Sequence, residues 1–280
     1  MQLLNKMLKI PVLTYHSANI SGNEYHNNDH VALLDDLETL NRLGYRIIPA
    51  QWLVEWIQKH RELDETGHYV VLTFDDGVSL DFHDWVHPEH GMQCSFVKIL
   101  KQFALKYPDF QPSVHACSFV IASSQARENI QEKALSGHPL LGDERWKNAE
   151  KTQLISIENH SWDHNHPDCG VSAQKEGITG RFDVIDTYSE CDQEIRHASD
   201  YLHGLTEKHS FLFAYPWGQH SDYLATDYLP NFEVEHRIIA AFTTEPELAH
   251  SQINKWLVPR YVCGEQWKST EELTYLLQQA

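Results

Sequence analysis

Two short stretches place groups that could do chemistry at the ends of strands. In Val71-Leu72-Thr73-Phe74-Asp75-Asp76-Gly77, an apolar run of β-formers ends in two adjacent carboxylates and a glycine, the pattern of a buried strand delivering charge to its C-terminal tip. Two carboxylates side by side in a protein interior are costly unless a cation compensates them or they differ in protonation. Taken alone, Asp-Asp-Gly is equally a way to turn the chain. The second stretch, Leu154-Ile155-Ser156-Ile157, is another strand pattern and runs into Glu158-Asn159-His160-Ser161-Trp162-Asp163-His164. Histidines four apart are expected on one face of a helical turn, and with a carboxylate they form the N/N/O set that a catalytic zinc or similar divalent ion accepts while keeping open positions. The chain has 19 histidines, so the spacing is weak by itself; its pairing with the Asp-Asp-Gly strand is what carries weight.

The elements that must position these groups alternate between strand and helix. A strand over 10–17 ends in Tyr15-His16, and Leu33, Leu34, Leu37, Leu40 and Leu43 follow at helical spacing, with Asp29 as a cap and Gly44 as a stop. Further strands are expected at 46–49, 114–121, 211–215 and 238–243, and helices around Trp52 to Ile57, at 96–107, at 186–205 and from 270 to the end. This alternation predicts an α/β domain with a parallel sheet. Long excursions at 78–113, 136–151 and 165–183 would wall a pocket if the strand tips share one end. The histidines of the first excursion, among them His83, His87 and His90, are too irregularly spaced to suggest a second metal site.

At 280 residues and 41% hydrophobic, the chain can bury a sizeable core, and a single domain spanning 1–280 is expected. A formal net charge of −18 argues against nucleic acid or an anionic membrane as partner and suits a metal or a cationic product. The segment 1–10 lacks the apolar run of a signal peptide and no later run approaches a membrane span, so a cytoplasmic location is expected. Cys94, Cys117, Cys169, Cys191 and Cys263 are odd in number and form no Cys-x-x-Cys pair, which points to reduced structural thiols.

With both motifs in place, the sequence resembles the polysaccharide deacetylase family, the carbohydrate esterases related to the rhizobial NodB protein. The resemblance implies an irregular barrel of seven β/α units from Pro11 to Tyr261 with long insertions at the strand C-terminal ends. It implies hydrolytic removal of an N-acetyl group from an amino sugar, with Asp75 as general base and Asp76, His160 and His164 holding one divalent metal, zinc first, with cobalt or nickel as alternatives.

Two departures bear on the site. The family's third signature, an aromatic-Arg-Pro-Pro-Tyr-Gly turn, corresponds to Phe213-Ala214-Tyr215-Pro216-Trp217-Gly218. A backbone oxyanion donor survives at Trp217, but Ala214 cannot supply the arginine that orients the catalytic aspartate. Arg260, in Val258-Pro259-Arg260-Tyr261, is the expected substitute. No histidine occupies the C-terminal segment where the family carries its general acid. A circularly permuted branch, the deacetylases of poly-N-acetylglucosamine, opens with the equivalent strand, and Pro11 to His16 is similar to it; His16 is therefore the expected acid, with His250 as rival. Trp85, Trp162, Trp217 and Trp256 are candidates for stacking on sugar faces. Two other readings stand beside the deacetylase: a hydrolase of small amides on the same scaffold, and a catalytically silent carbohydrate-binding protein.

Overall fold

The computed structural model describes residues 8–135, 137–169 and 179–280; the remainder of the third excursion, most of the N-terminal segment and Ser136 lie outside them. The strands are β1 (Lys9–Ile10), β2 (Val12–Tyr15), β3 (Tyr45–Ile47), β4 (His68–Phe74), β5 (Trp85–His87), β6 (Gly91–Gln93), β7 (Ala116–Val120), β8 (Ile155–Asn159), β9 (Leu212–Ala214), β10 (Ala240–Phe242), β11 (Ala249–His250) and β12 (Tyr261–Val262). The principal sheet runs β10-β9-β8-β7-β4-β2-β12 with β3 beside β4, and every pairing within it is parallel. The chain before β12 returns to the far edge, where Val258 bridges Phe242 in parallel. That segment therefore links β10 to β12 and curls the sheet into the irregular seven-unit barrel that the family resemblance implies.

Side-chain alternation sorts the core into two layers. Ile10, Val12, Val71, Cys117, Phe119, Leu212, Ala214, Ala240, Phe242 and Val258 form one buried cluster drawn from strands all around the sheet, the barrel interior, joined by Leu53, Val54 and Ile57 of helix α2 (Ala50–Ile57). Their neighbours in sequence, Leu13, Val70, Leu72, Phe74 and Ala116, join the cluster that packs the outer helices α1 (Asp29–Arg42) and α3 (Phe96–Lys106) and the C-terminal helix 270–277. β4 is buried on both faces except at His68, which is why it reads as an unbroken apolar run rather than an alternating one.

Several expected elements shift. Asn28, not Asp29, caps α1, accepting from the His30 N–H at 2.9 Å. Leu34 lies outside the apolar stripe of that helix, 45% exposed. The 78–113 excursion contains an antiparallel hairpin, β5–β6, with Val86 opposite Met92. Helices α4 (Ser124–Lys133) and α5 (Trp146–Glu150) occupy stretches not expected to be helical. The helix near 186–205 begins at Tyr188 and ends at Thr206, with a π-helical stretch at Asp192–His197. All five cysteines are free, and among the described residues no helix is long and apolar enough to cross a membrane.

Candidate active site

Asp75 continues the inward-facing parity of Val71 and Thr73 just past the end of β4. Its backbone N–H donates to the Tyr15 carbonyl at 3.2 Å, and since Tyr15 and Phe74 are register partners, His16 and Asp75 stand at neighbouring strand tips. The chain must then turn sharply. Asp76 takes φ 74 and Gly77 φ 69; a Cβ on Gly77 would lie 2.6 Å from the Val120 side chain. Left-handed backbone is costly for a residue with a side chain, though Asp tolerates it better than most, and here it lifts the Asp76 carboxylate out of the sheet.

The histidine segment does not form the expected helical turn. Ser161, His164 and Asn165 all have positive φ, at 72, 64 and 42, and the segment is an irregular loop. Local hydrogen bonds compete with a helix there: the Asn159 side chain accepts the Ser161 N–H at 2.7 Å, Ser161 Oγ accepts the His164 N–H at 2.8 Å, and Asp163 accepts the Asn165 N–H at 2.8 Å. Glu194, on the π-helical stretch, accepts the N–H groups of Trp162 and Asp163 at 3.0 and 3.4 Å. Nothing in the residues around Glu194 marks it for this role.

The loop nevertheless brings the two imidazoles together. Nε2 of His160 and Nε2 of His164 each lie 3.7 Å from Asp76 Oδ1, and one donor atom from each of the three residues falls within 4.8 Å of the others. Among the described residues this is the one such group of His, Cys, Asp and Glu. His160 donates from Nδ1 to the Ala214 carbonyl at 2.8 Å, which leaves Nε2 with its lone pair toward Asp76, the second-sphere arrangement that metal-binding histidines use. Burial lowers the pKa of both histidines, His164 well below the ordinary value, with His160 adding to the effect. Neutral imidazoles beside a carboxylate are the protonation states a divalent cation requires, so these residues fit a metal.

Arg260 reaches Asp75 from beyond the barrel closure. Its Nη1 and Nη2 donate to the two Asp75 oxygens at 2.7 and 2.8 Å, Nη1 also approaches Thr73 Oγ1 at 3.2 Å, and Nε donates to the Thr243 carbonyl at 2.9 Å. Both side chains are buried. Burial alone would push the Asp75 carboxyl up; the Arg260 guanidinium reverses that and holds it well below the usual carboxylate range. A bidentate arginine thus sits where Ala214 leaves none, and the Asp75 carboxylate is clamped rather than free.

His16 is half-buried at the tip of β2, and its backbone N–H donates to Asp29 Oδ2 at 2.8 Å. Asp29, expected as a helix cap, instead fixes this strand tip. His250 pairs with Lys9 in the small β1–β11 ribbon at the opposite end of the barrel, so the rival lies far from the carboxylates. Trp217 adopts φ 53 in the turn after β9, is 39% exposed, and sets its ring 4.2 Å from that of His164 at 73°. Asp75, Asp76, His16, His160, His164 and Trp217 all line one cleft of about 430 Å³, as does His166, which sequence reasoning passed over although it follows His164 by two. Of the four tryptophans considered for sugar stacking, Trp256 is buried in the core, and Trp162 packs on His197 and Tyr201; Trp217 alone among the four lines this cleft.

A family model for polysaccharide deacetylase matches residues 62–229. No curated protein matches the sequence. Among solved structures, the Streptococcus pyogenes deacetylase PplD in complex with acetate is 17% identical, with 97% of this chain and 99% of that one covered and a TM-score of 0.65. IcaB from Ammonifex degensii is 17% identical over 96% of this chain and 97% of its own, with a TM-score of 0.67. A de-N-acetylase from Aggregatibacter actinomycetemcomitans is 16% identical over 96% and 99%, with a TM-score of 0.61. At these identities the likeness is one of fold.

Proposed function

The chain belongs to the polysaccharide deacetylase family, and from that premise we propose that it is a metal-dependent hydrolase removing an N-acyl group, N-acetyl first, from an amino sugar within an oligo- or polysaccharide. The observation that carries the proposal is the convergence of Asp76, His160 and His164 donors in the cleft that also holds Asp75 and His16. Those three residues would hold a divalent ion, zinc, cobalt or nickel, which when bound would supply Lewis acidity for activating water and polarising the amide carbonyl.

The chain's own groups do the rest. Asp75, kept ionised and oriented by Arg260, accepts a proton from the attacking water. The Trp217 backbone N–H, in its left-handed turn, donates to the oxygen on which negative charge develops. His16, with its backbone held by Asp29, delivers a proton to the departing nitrogen. Water adds to the carbonyl carbon, the C–N bond breaks, and the products are a carboxylate and a free amine. A sugar that gains a positive charge on reaction suits a chain of net charge −18.

The test is acetate release from N-acetylglucosamine oligomers and from a panel of small amides, with and without added metal. Metal-dependent release from the oligomers supports the reading. Turnover of small amides alone moves the activity to a different substrate class on the same scaffold. Tight sugar binding without turnover under any metal replaces the hydrolase with a silent carbohydrate-binding protein.

A further inference from the structure

The cleft beside Asp76, His160 and His164 has two walls of unlike chemistry. Residues after β8, β9 and β12, including His166, Trp217 and Glu265, make one wall polar and aromatic. Residues after β2, β4 and β7 and on α4 and the chain following it make the other wall aliphatic: Ala18, Val78, Ile121, Ile130 and Leu135. These side chains belong to a single apolar cluster, in which Val78, Ile121 and Ile130 are buried at its centre and Ala18 and Leu135 pack against it. The wall is therefore a packed surface; within this cleft its lining is aliphatic, and Trp85, which packs against the same cluster, lies outside the cleft.

An N-acyl amino sugar also has two unlike arms, a hydroxylated ring on the nitrogen side and a hydrocarbon on the carbonyl side. We propose that the acyl arm lies on the aliphatic wall, and that this wall selects N-acyl chains longer than acetyl, in the range from butyryl to hexanoyl. The inference rests on the hydrolase reading and specifies its substrate. An acetyl methyl is comparable to one water, about 30 Å³, and leaves most of that wall uncovered. The wall also does not end at the first cleft: Ala18 and Leu135 line a second one as well, of about 370 Å³, where Leu80 and Leu140 continue the aliphatic surface and Trp85, His87, Glu89 and His138 complete the lining. A straight alkyl chain starting at the carbonyl would follow that shared edge. Hydrolysis of such a substrate places water's oxygen on the acyl carbon and protons on the nitrogen, yielding an alkyl carboxylate and a free amino sugar.

Each methylene buried on the wall tightens binding about fourfold, until the chain outruns the surface. Two measurements on the full chain loaded with zinc test this. Calorimetric titration with acetate, butyrate and hexanoate is expected to show affinity rising with chain length, and kcat/KM for N-acetyl-, N-butyryl- and N-hexanoylglucosamine to rise in parallel. Leu135→Trp, at a half-buried position, is expected to reduce kcat/KM for the butyryl substrate at least tenfold relative to the acetyl one, with the melting temperature measured to check the fold. Hydrolysis of the acetyl substrate with longer chains bound and cleaved more weakly overturns the acyl assignment and leaves the hydrolase reading standing. A rising carboxylate series with no amide hydrolysed under any metal retains the alkyl surface and overturns the hydrolase reading.

Discussion

Arg260 grips both oxygens of Asp75, at 2.7 and 2.8 Å, from 185 residues further along the chain. Removing one partner of a buried pair leaves the other charge uncompensated, at a cost of about 3–5 kcal/mol. Arg260→Ala is therefore expected to destabilise the fold by an amount in that range, and Arg260→Lys to retain the charge but lose the two-pronged geometry. Denaturant unfolding of Arg260→Ala, Asp75→Asn and the double variant checks this: the double variant should be markedly more stable than the sum of the singles predicts. Because Asp75 is depressed in the fold, the pair's contribution is present above about pH 4, the unfolded carboxylate range, and is lost as pH falls through the folded value. Simple additivity of the two single variants would show that the contact carries no coupling.

The donor set makes a separate prediction. Purified protein is expected to bind about one divalent ion per chain. Asp76→Ala, His160→Ala and His164→Ala should each lose it, while Asp75→Asn should keep it and lose activity. Metal analysis after dialysis, paired with an acetate-release assay, separates the two classes. Loss of metal in Asp75→Asn would move Asp75 into the ligand set and vacate the role of base.

The parts of this site legible in the sequence are those encoded next to a strand. Asp75 and Asp76 follow an apolar run, and His160 and His164 follow another, so placing β4 and β8 parallel in one sheet, with β7 between them, suffices to bring their tips to the same end. Other parts depend on contacts that local sequence does not encode. Four-residue spacing is compatible with a helix, and what rules the helix out is a set of side-chain acceptors, Glu194 among them, that arrives from a separate element. Arg260 could be named because Ala214 leaves a gap in a familiar pattern, but its reach to Asp75 depends on the chain near Val258 bridging Phe242 and closing the barrel. Trp256 read like a rim aromatic, and burial behind the barrel decides otherwise. The β5–β6 hairpin escaped because Val86 and Met92, its facing pair, are both exposed and leave no alternating apolar pattern.

Asp36 on α1 makes stability pH-dependent at a distance from the cleft. Its buried carboxylate accepts from the Tyr15 hydroxyl at 2.9 Å, from the Trp267 indole at 3.0 Å and from the Tyr25 hydroxyl. Burial pushes it up to about 7 despite these donors. Between about pH 4 and 7 the folded chain then keeps a proton that the unfolded chain has lost, so this contribution to stability is full below about pH 4 and disappears as pH rises through about 7, at no more than about 1.4 kcal/mol per pH unit. Burial also raises Asp29 and Asp81, so the informative quantity is the difference between wild type and Asp36→Asn. The variant should show a flatter decline in unfolding free energy across that window. Parallel profiles for the two proteins would assign the pH dependence elsewhere.

His16 carries the last prediction, which distinguishes proton donation from scaffolding. Its ring Nδ1 is buried without a hydrogen-bond partner among the described residues, and the ring lines the cleft beside Asp75 and Asp76, so the side chain is held by its strand rather than by polar contacts at Nδ1. His16→Ala is expected to lower kcat by about 10²- to 10⁴-fold, the usual span for losing a general acid or base, with metal content unchanged. An alkyl amine leaves poorly without a proton, whereas the phenolate of an aryl ester leaves as a stable anion with little assistance. The defect in His16→Ala should therefore shrink on aryl acetates compared with N-acyl amino sugars. A defect of equal size on both substrates would mean that His16 shapes the cleft without handling the proton, and the acid would then be sought among the other groups lining it, starting with His166.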